Sequence, residues 1–168
     1  MLFYSILAVV LVLIDQLTKI LTRTYIDLGE SFTFIPGLLD LTYIKNTGAA
    51  FSILEKHTWL LTVLSAVIVL VVAYLVVKKF FTGWVGMLSA TLILAGGVGN
   101  LIDRATVGYV VDMFHFEFWP SYPVFNVADM CVVCGAILGS VYYLWLYEKY
   151  DMKPKKGETD GNSDAPTE

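Results

Sequence analysis

Gly96-Gly97-Val98-Gly99-Asn100-Leu101-Ile102-Asp103-Arg104, then Val110-Val111-Asp112, then Phe125-Asn126-Val127-Ala128-Asp129: these three pieces of a single stretch decide how the chain is read. Asp112 closes an apolar run, and Asp129 opens a longer one that continues through Cys131, Val132, Val133 and Ile137 to Tyr147. Both acids therefore fall at a membrane boundary. An ionised carboxylate there costs several kcal/mol unless something compensates it, so such acids point first to function. Two of them close together would share a proton, which is a catalytic arrangement.

The surrounding composition supports the membrane reading. Of 168 residues, 57% are hydrophobic and only 15% charged, with a mean hydropathy of +0.70, which is too apolar for a soluble domain of this length. The net charge of -4 owes much to the polar tail from Glu158 to Glu168, and no basic patch suggests nucleic acid. Cys131 and Cys134 are the only cysteines. Without a second pair or a nearby His they read as buried small apolar residues, not as a redox or metal pair.

Hydropathy divides the chain into four spans, at about residues 2–22, 58–78, 84–102 and 123–147, each near the roughly 20 residues that one bilayer crossing needs. The first is a span and not a cleaved leader, because no Lys or Arg precedes it and no small-x-small site follows. Between the first two spans, Leu39-Asp40-Leu41-Thr42-Tyr43 alternates as a half-exposed strand does, Ser31-Phe32-Thr33-Phe34 does so more weakly, and Pro36-Gly37 marks the turn between them. Asn46-Thr47-Gly48 makes a sharp loop into Ala49-Ala50-Phe51, where small residues leave room for another backbone. Tyr109 to Pro123 carries six aromatics and is expected in the interface, as a short helix or flap over the site or as an ordinary aromatic belt. The expected fold is thus an all-α membrane protein of four helices, with a small extracytoplasmic β-sheet and an interfacial segment between the third and fourth helices. Residues 1–148 form a single membrane domain, followed by a disordered cytoplasmic tail at 149–168.

Lys78, Lys79, Lys149, Lys153, Lys155 and Lys156 fall on one side of the four spans, against Arg23, Lys45, Lys56 and Arg104 on the other. The positive-inside rule then makes both termini cytoplasmic and puts Asp112 and Asp129 on the outer face.

Around the two acids stand residues with more than one reading. Asp15 and Lys19, spaced i, i+4, share a helix face and form either an ion pair that permits insertion or part of the site. Asn100 and Arg104, with the same spacing, aim an amide and a guanidinium at one region beside Asp103. Arg104 would hold a substrate carbonyl or simply satisfy helix-end carbonyls. Asn126 would orient Asp129, donate to an oxyanion, or cap the fourth helix. Gly96, Gly97 and Gly99 are read as helix-packing residues, since no phosphate-loop Lys follows. His57 and His115, the only histidines, carry no nucleophile motif, and no cluster suits a metal.

The combination favours an aspartyl pair that hydrolyses a peptide with an activated water. A small proton-coupled carrier would need acids lining a path to both faces, and a non-catalytic lipid or lipoprotein chaperone would not need two acids.

Five pieces carry a resemblance: Asp15-Gln16-Leu17-Thr18-Lys19, Asn46-Thr47-Gly48-Ala49-Ala50-Phe51, Gly96 through Arg104, Val110-Val111-Asp112, and Phe125-Asn126-Val127-Ala128-Asp129. In this order they resemble the signal peptidase II family of lipoprotein signal peptidases, bacterial membrane aspartyl proteases. The tail after Tyr147 lies outside the match. The resemblance implies cleavage of a diacylglyceryl-modified prolipoprotein on the N-terminal side of its lipid-bearing Cys, in the bacterial cytoplasmic membrane. It implies Asp112 and Asp129 as the catalytic dyad, with Asn46, Asn100, Arg104 and Asn126 around substrate and Asp15 in support, and Lys19 and Asp103 join that supporting set. It further implies inhibition by globomycin and no metal; membrane lipids as neighbours, no other cofactor and a monomer are the remaining expectations.

Overall fold

The computed structural model describes residues 1–48, 58–81 and 83–146. Among them, four helices are long and apolar enough to cross a membrane: α1 (Leu2–Tyr25), α2 (Thr58–Val77), α3 (Trp84–Thr106) and α4 (Val127–Val141), the last continued by a π-helical turn over Tyr142–Leu146. The expected loop at Ala49-Ala50-Phe51, the end of the fourth span at Tyr147 and the tail lie outside the described residues.

The helix α3 is the centre of the bundle, packed against α1, α2 and α4. Half of its membrane window is buried, against 6% for α2, whose apolar side chains therefore face lipid on nearly every side. Without a hydrophobic drive between helices in lipid, close approach depends on small residues. Gly96 is the sharpest case. A Cβ there would collide with the Ala128 carbonyl oxygen and lie 2.8 Å from Val132 Cγ2. The glycines are thus packing residues, as their sequence context implies.

Three antiparallel strands, β1 (Ser31–Ile35), β2 (Leu39–Asn46) and β3 (Val110–Phe116), form one sheet in that order. The β1–β2 hairpin turns at Pro36-Gly37 as expected, with Gly37 at φ +75°. The third strand corrects the expectation of a short helix between Tyr109 and Pro123. Val110–Phe116 is extended, pairs Asp112 with Ile44 and Val110 with Asn46, and is followed by turns up to Tyr122. Its first four residues are all buried, so no alternation betrays the strand: a strand covered on both faces reads as a continuous apolar run. Ile26, Tyr43, Val111 and Met113 make the small core beneath the sheet.

Two helix boundaries bring the acids together. The helix α3 runs beyond Ile102 to Thr106, because Asp103 and Arg104 find partners instead of ending it. Gly108, at φ +83°, then turns the chain into β3 with its N–H on the Asp103 carbonyl at 3.2 Å. The helix α4 starts at Val127 and not at 123, since Phe125 is still extended and bridges Phe114. The C-terminal ends of α1 and α3, the N-terminal ends of α2 and α4, and the sheet consequently share one end of the bundle.

Candidate active site

At that end a cavity of about 350 Å³ lies between α2, α3 and α4 and is roofed by β3 and residues 122–125. Asn46, Asn100, Arg104, Asp112 and Asp129 all line it. The strand β3 delivers Asp112, 1% exposed, and α4 delivers Asp129 from its first turn.

One side chain ties the two acids. Asn126 Nδ2 donates to Asp112 Oδ1 at 2.6 Å, while its Oδ1 accepts from the Asp129 N–H at 2.8 Å and its own N–H donates to Asp129 Oδ2 at 3.2 Å. The last two bonds are a reciprocal capping box at the start of α4. Orientation of the acids and capping, separate alternatives in the sequence, are thus one arrangement. The remaining oxygens are also held: Asn46 Nδ2 donates to Asp112 Oδ2 at 2.8 Å, and Asn100 Nδ2 to Asp129 Oδ1 at 2.8 Å. Burial pushes the Asp112 carboxyl up to about 7 and neighbouring Asp129 adds to the rise, against the amides of Asn46 and Asn126 and the charge of Lys19.

Behind the cavity is a second, fully buried layer. Lys19, 0% exposed, spends its three N–H groups on Asp15 Oδ2 at 2.9 Å, Asp103 Oδ2 at 3.2 Å and Asn100 Oδ1 at 2.9 Å. Asp15 Oδ1 accepts from the Ala128 N–H at 2.8 Å, satisfying an orphan donor of α4, and Asp103 Oδ2 accepts from the Val111 N–H at 3.0 Å. Asp15 thereby anchors the helix that carries Asp129, and Asp103 the strand that carries Asp112. The Asp15–Lys19 ion pair and the supporting role are the same thing. Asp103 does not face the cavity as Arg104 does; one residue of helix rotation turns it to Lys19.

Gln16 was not among the residues singled out from the sequence. Its Nε2 contacts Gly99 O, Asp15 Oδ2 and Asp103 Oδ1 at 3.1 to 3.2 Å, closing the buried layer. Its only signal was its place beside Asp15, since its partners on α3 are more than 80 residues away. Arg104 reaches Gly48 O at 3.4 Å through Nη2, while its buried Nε has no hydrogen-bond partner among the described residues. A donor held dry and unmatched is costly, and the Arg104 side chain as a whole lines the cavity. Of the cysteines, Cys131 is buried as expected, but Cys134 is exposed on the outer side of α4; both are free.

A buried and a half-buried aspartate with one shared amide, held at the common end of four apolar helices, define a multi-pass membrane protein with a hydrolase-like site. A family model described as signal peptidase (SPase) II matches residues 7–145. Lipoprotein signal peptidases of Enterococcus faecalis and Streptococcus pyogenes are 40% and 41% identical to the chain, over 92% and 84% of its length and 94% and 92% of theirs. Two solved bacterial membrane enzyme structures, obtained by the in meso method at 2.3 and 1.9 Å resolution, superpose with TM-scores of 0.79 and 0.78 at 30% and 31% identity. They cover 92% and 86% of this chain and 93% and 94% of their own. The chain belongs to the signal peptidase II family, and it is a membrane protease.

Proposed function

We propose that the protein removes signal peptides from diacylglyceryl-modified prolipoproteins, cutting N-terminal to the lipid-bearing Cys by aspartyl-pair hydrolysis. The observation that carries this reading is the sharing of Asn126 by Asp112 and Asp129 at the mouth of a cavity walled by three membrane helices. An apolar signal segment fits such walls, and a scissile bond just above it meets both acids.

The chemistry follows from one proton held between two carboxyls. Asp112, with its carboxyl raised to about 7, supplies that proton near neutrality, and ionised Asp129 acts as the base. Asp129 takes a proton from water as the oxygen adds to the carbonyl carbon, and the Asp112 proton is shared with the developing oxyanion. The amide nitrogen then takes a proton from the pair and the C–N bond breaks. The products are a signal peptide with a new carboxylate and a lipoprotein with a free amine on its lipidated Cys. Arg104, whose side chain lines the cavity, holds a substrate carbonyl with its guanidinium.

Lys78 and Lys79 lie at the bundle end opposite the acids, which by the positive-inside rule supports a site at the outer face of the bacterial cytoplasmic membrane with the termini inside. There the lipid anchor sets the depth of the Cys and water reaches the acids. The test is a processing assay with a diacylglyceryl precursor. Asp112→Asn and Asp129→Asn should each abolish cleavage while membrane insertion and helix content stay as in the parent, and globomycin should inhibit the parent. Full activity in either variant removes the mechanism.

A further inference from the structure

A second groove, of about 430 Å³, lies on the other side of the β3–α4 junction from the active cavity. Leu39, Phe114 and Phe116 of the sheet form one wall, and Met130, Val133 and Cys134 of α4 form the other. The groove has one charged lining residue, Asp129, and it shares Tyr122, Phe125, Asp129 and Val133 with the active cavity. The two hollows therefore meet at the acid that activates water. Resting on the proposed activity, we propose that this groove takes one acyl chain of the substrate's diacylglyceryl-cysteine, while the signal segment occupies the cavity between α2, α3 and α4.

The substrate's connectivity requires two such channels. The bond to be cut lies immediately before the lipidated Cys, so the signal segment and the lipid diverge from the scissile carbonyl, and a dyad must sit where their paths part. Beyond Asp129 the lining side chains carry no charge, and their only heteroatoms are the Tyr122 hydroxyl, the Met130 thioether and the Cys134 thiol, which suits an alkyl chain and no charged group. Lipid tails are as apolar as these walls, so the groove adds little affinity for a chain already in the bilayer. Its contribution is register: an acyl chain seated between sheet and helix fixes the Cys relative to the acids. Displacing a reacting bond by about 1 Å can cost roughly 100-fold in rate.

Two measurements test this. In a Cys131→Ala, Asp112→Asn background, Cys134 is the sole thiol, and its maleimide labelling in nanodiscs should slow about tenfold or more with a diacylglyceryl precursor peptide but not with the same peptide lacking lipid, as burial of an exposed thiol requires. In otherwise native enzyme, Cys134→Trp should lower kcat/KM for the diacylglyceryl precursor about tenfold, a partial form of the misplacement penalty. Leu13→Trp, in the shallow hollow between α1 and α3, should leave it unchanged. Equal labelling with and without the lipidated peptide, or native kcat/KM in Cys134→Trp, would overturn the proposal and leave the groove to bulk lipid. Failure of the parent enzyme to cut any lipidated precursor would instead defeat the activity itself, so the two failures are separable.

Discussion

Replacing Lys19 with Met tests the buried layer that holds the acids in place. The lysine has no exposure and three partners, two of them carboxylates that are themselves 1% exposed. Met fills nearly the same volume, so packing is kept and charge is lost. Asp15 and Asp103 then remain as two buried anions with only neutral donors. Removing one partner of a buried ion pair costs about 3–5 kcal/mol. At roughly 2–4 °C per kcal/mol for a domain of this size, the melting temperature should fall by about 6–20 °C. Adding Asp103→Asn removes one stranded charge and should restore part of the loss, a coupling that a double-mutant cycle reads directly. Activity should fall further than stability, measured on protein still folded at the assay temperature. Without Lys19 on its oxygen at 2.9 Å, the Asn100 amide keeps only the longer 3.3 Å bond from Asn126 Nδ2 to turn its N–H groups toward Asp129. Thermal unfolding of the purified variants in detergent is the assay. A melting point within about 2 °C of the parent for Lys19→Met alone would refute the reasoning, because no buried triad of this geometry could then be supporting the fold.

Three further outcomes are expected. Asp112 ionises near 3.8 when unfolded and near 7 in the fold, so between those values the folded state binds the extra proton and stability declines as pH rises toward 7. Asp112→Asn should abolish that slope and be the more stable protein at pH 8, while the parent's kcat/KM should drop as the pH climbs past about 7; a rate unchanged from pH 6 to 9 would contradict Asp112 as the acid. Gly96→Ala should push α4 from α3, given the predicted collision with the Ala128 carbonyl, and reduce precursor cleavage by at least about tenfold through displacement of Asp129; native activity would show that α4 is not held there. Asn126→Ser keeps a cap acceptor but loses the donor to Asp112, and Asn126→Ala loses both. Cleavage should fail in each, whereas only the Ala variant should lose the cap's stability of about 0.5–2 kcal/mol, and equal melting points for the two would oppose the dual role.

The spans, the β1–β2 hairpin and the acids were legible because each has a local signature. Continuous apolar runs mark the helices, alternation and Pro36-Gly37 mark the hairpin, and a carboxylate beside an apolar run marks itself. What stayed hidden was set through space. Val110–Phe116 gave no period-two signal because both of its faces are covered near Asp112, and its aromatics suited an interface equally well. Asp103 and Arg104 are neighbours in sequence, yet the helix turns one to Lys19 and the other to the cavity. The fold alone distinguishes support from site. Gln16 is the same problem in its strongest form, since nothing near it in sequence reveals that it closes contacts between α1 and α3.

The separation of charge from catalysis explains why so many ionisable groups sit together. Among the described residues, Asp15, Asp103, Asp112 and Asp129 face two cations, Lys19 and Arg104, so that part of the site is short of positive charge and a proton can serve as counterion. Had Lys19 paired directly with either cavity acid, both would favour ionisation, and the protonated partner that the proposed mechanism needs would be gone. Instead Lys19 is committed to Asp15 and Asp103 and meets the cavity through the neutral amide of Asn100, so its charge lowers the Asp112 carboxyl only from a distance and by less than burial raises it. The same cation can therefore brace the elements that carry the acids and still leave the pair its proton.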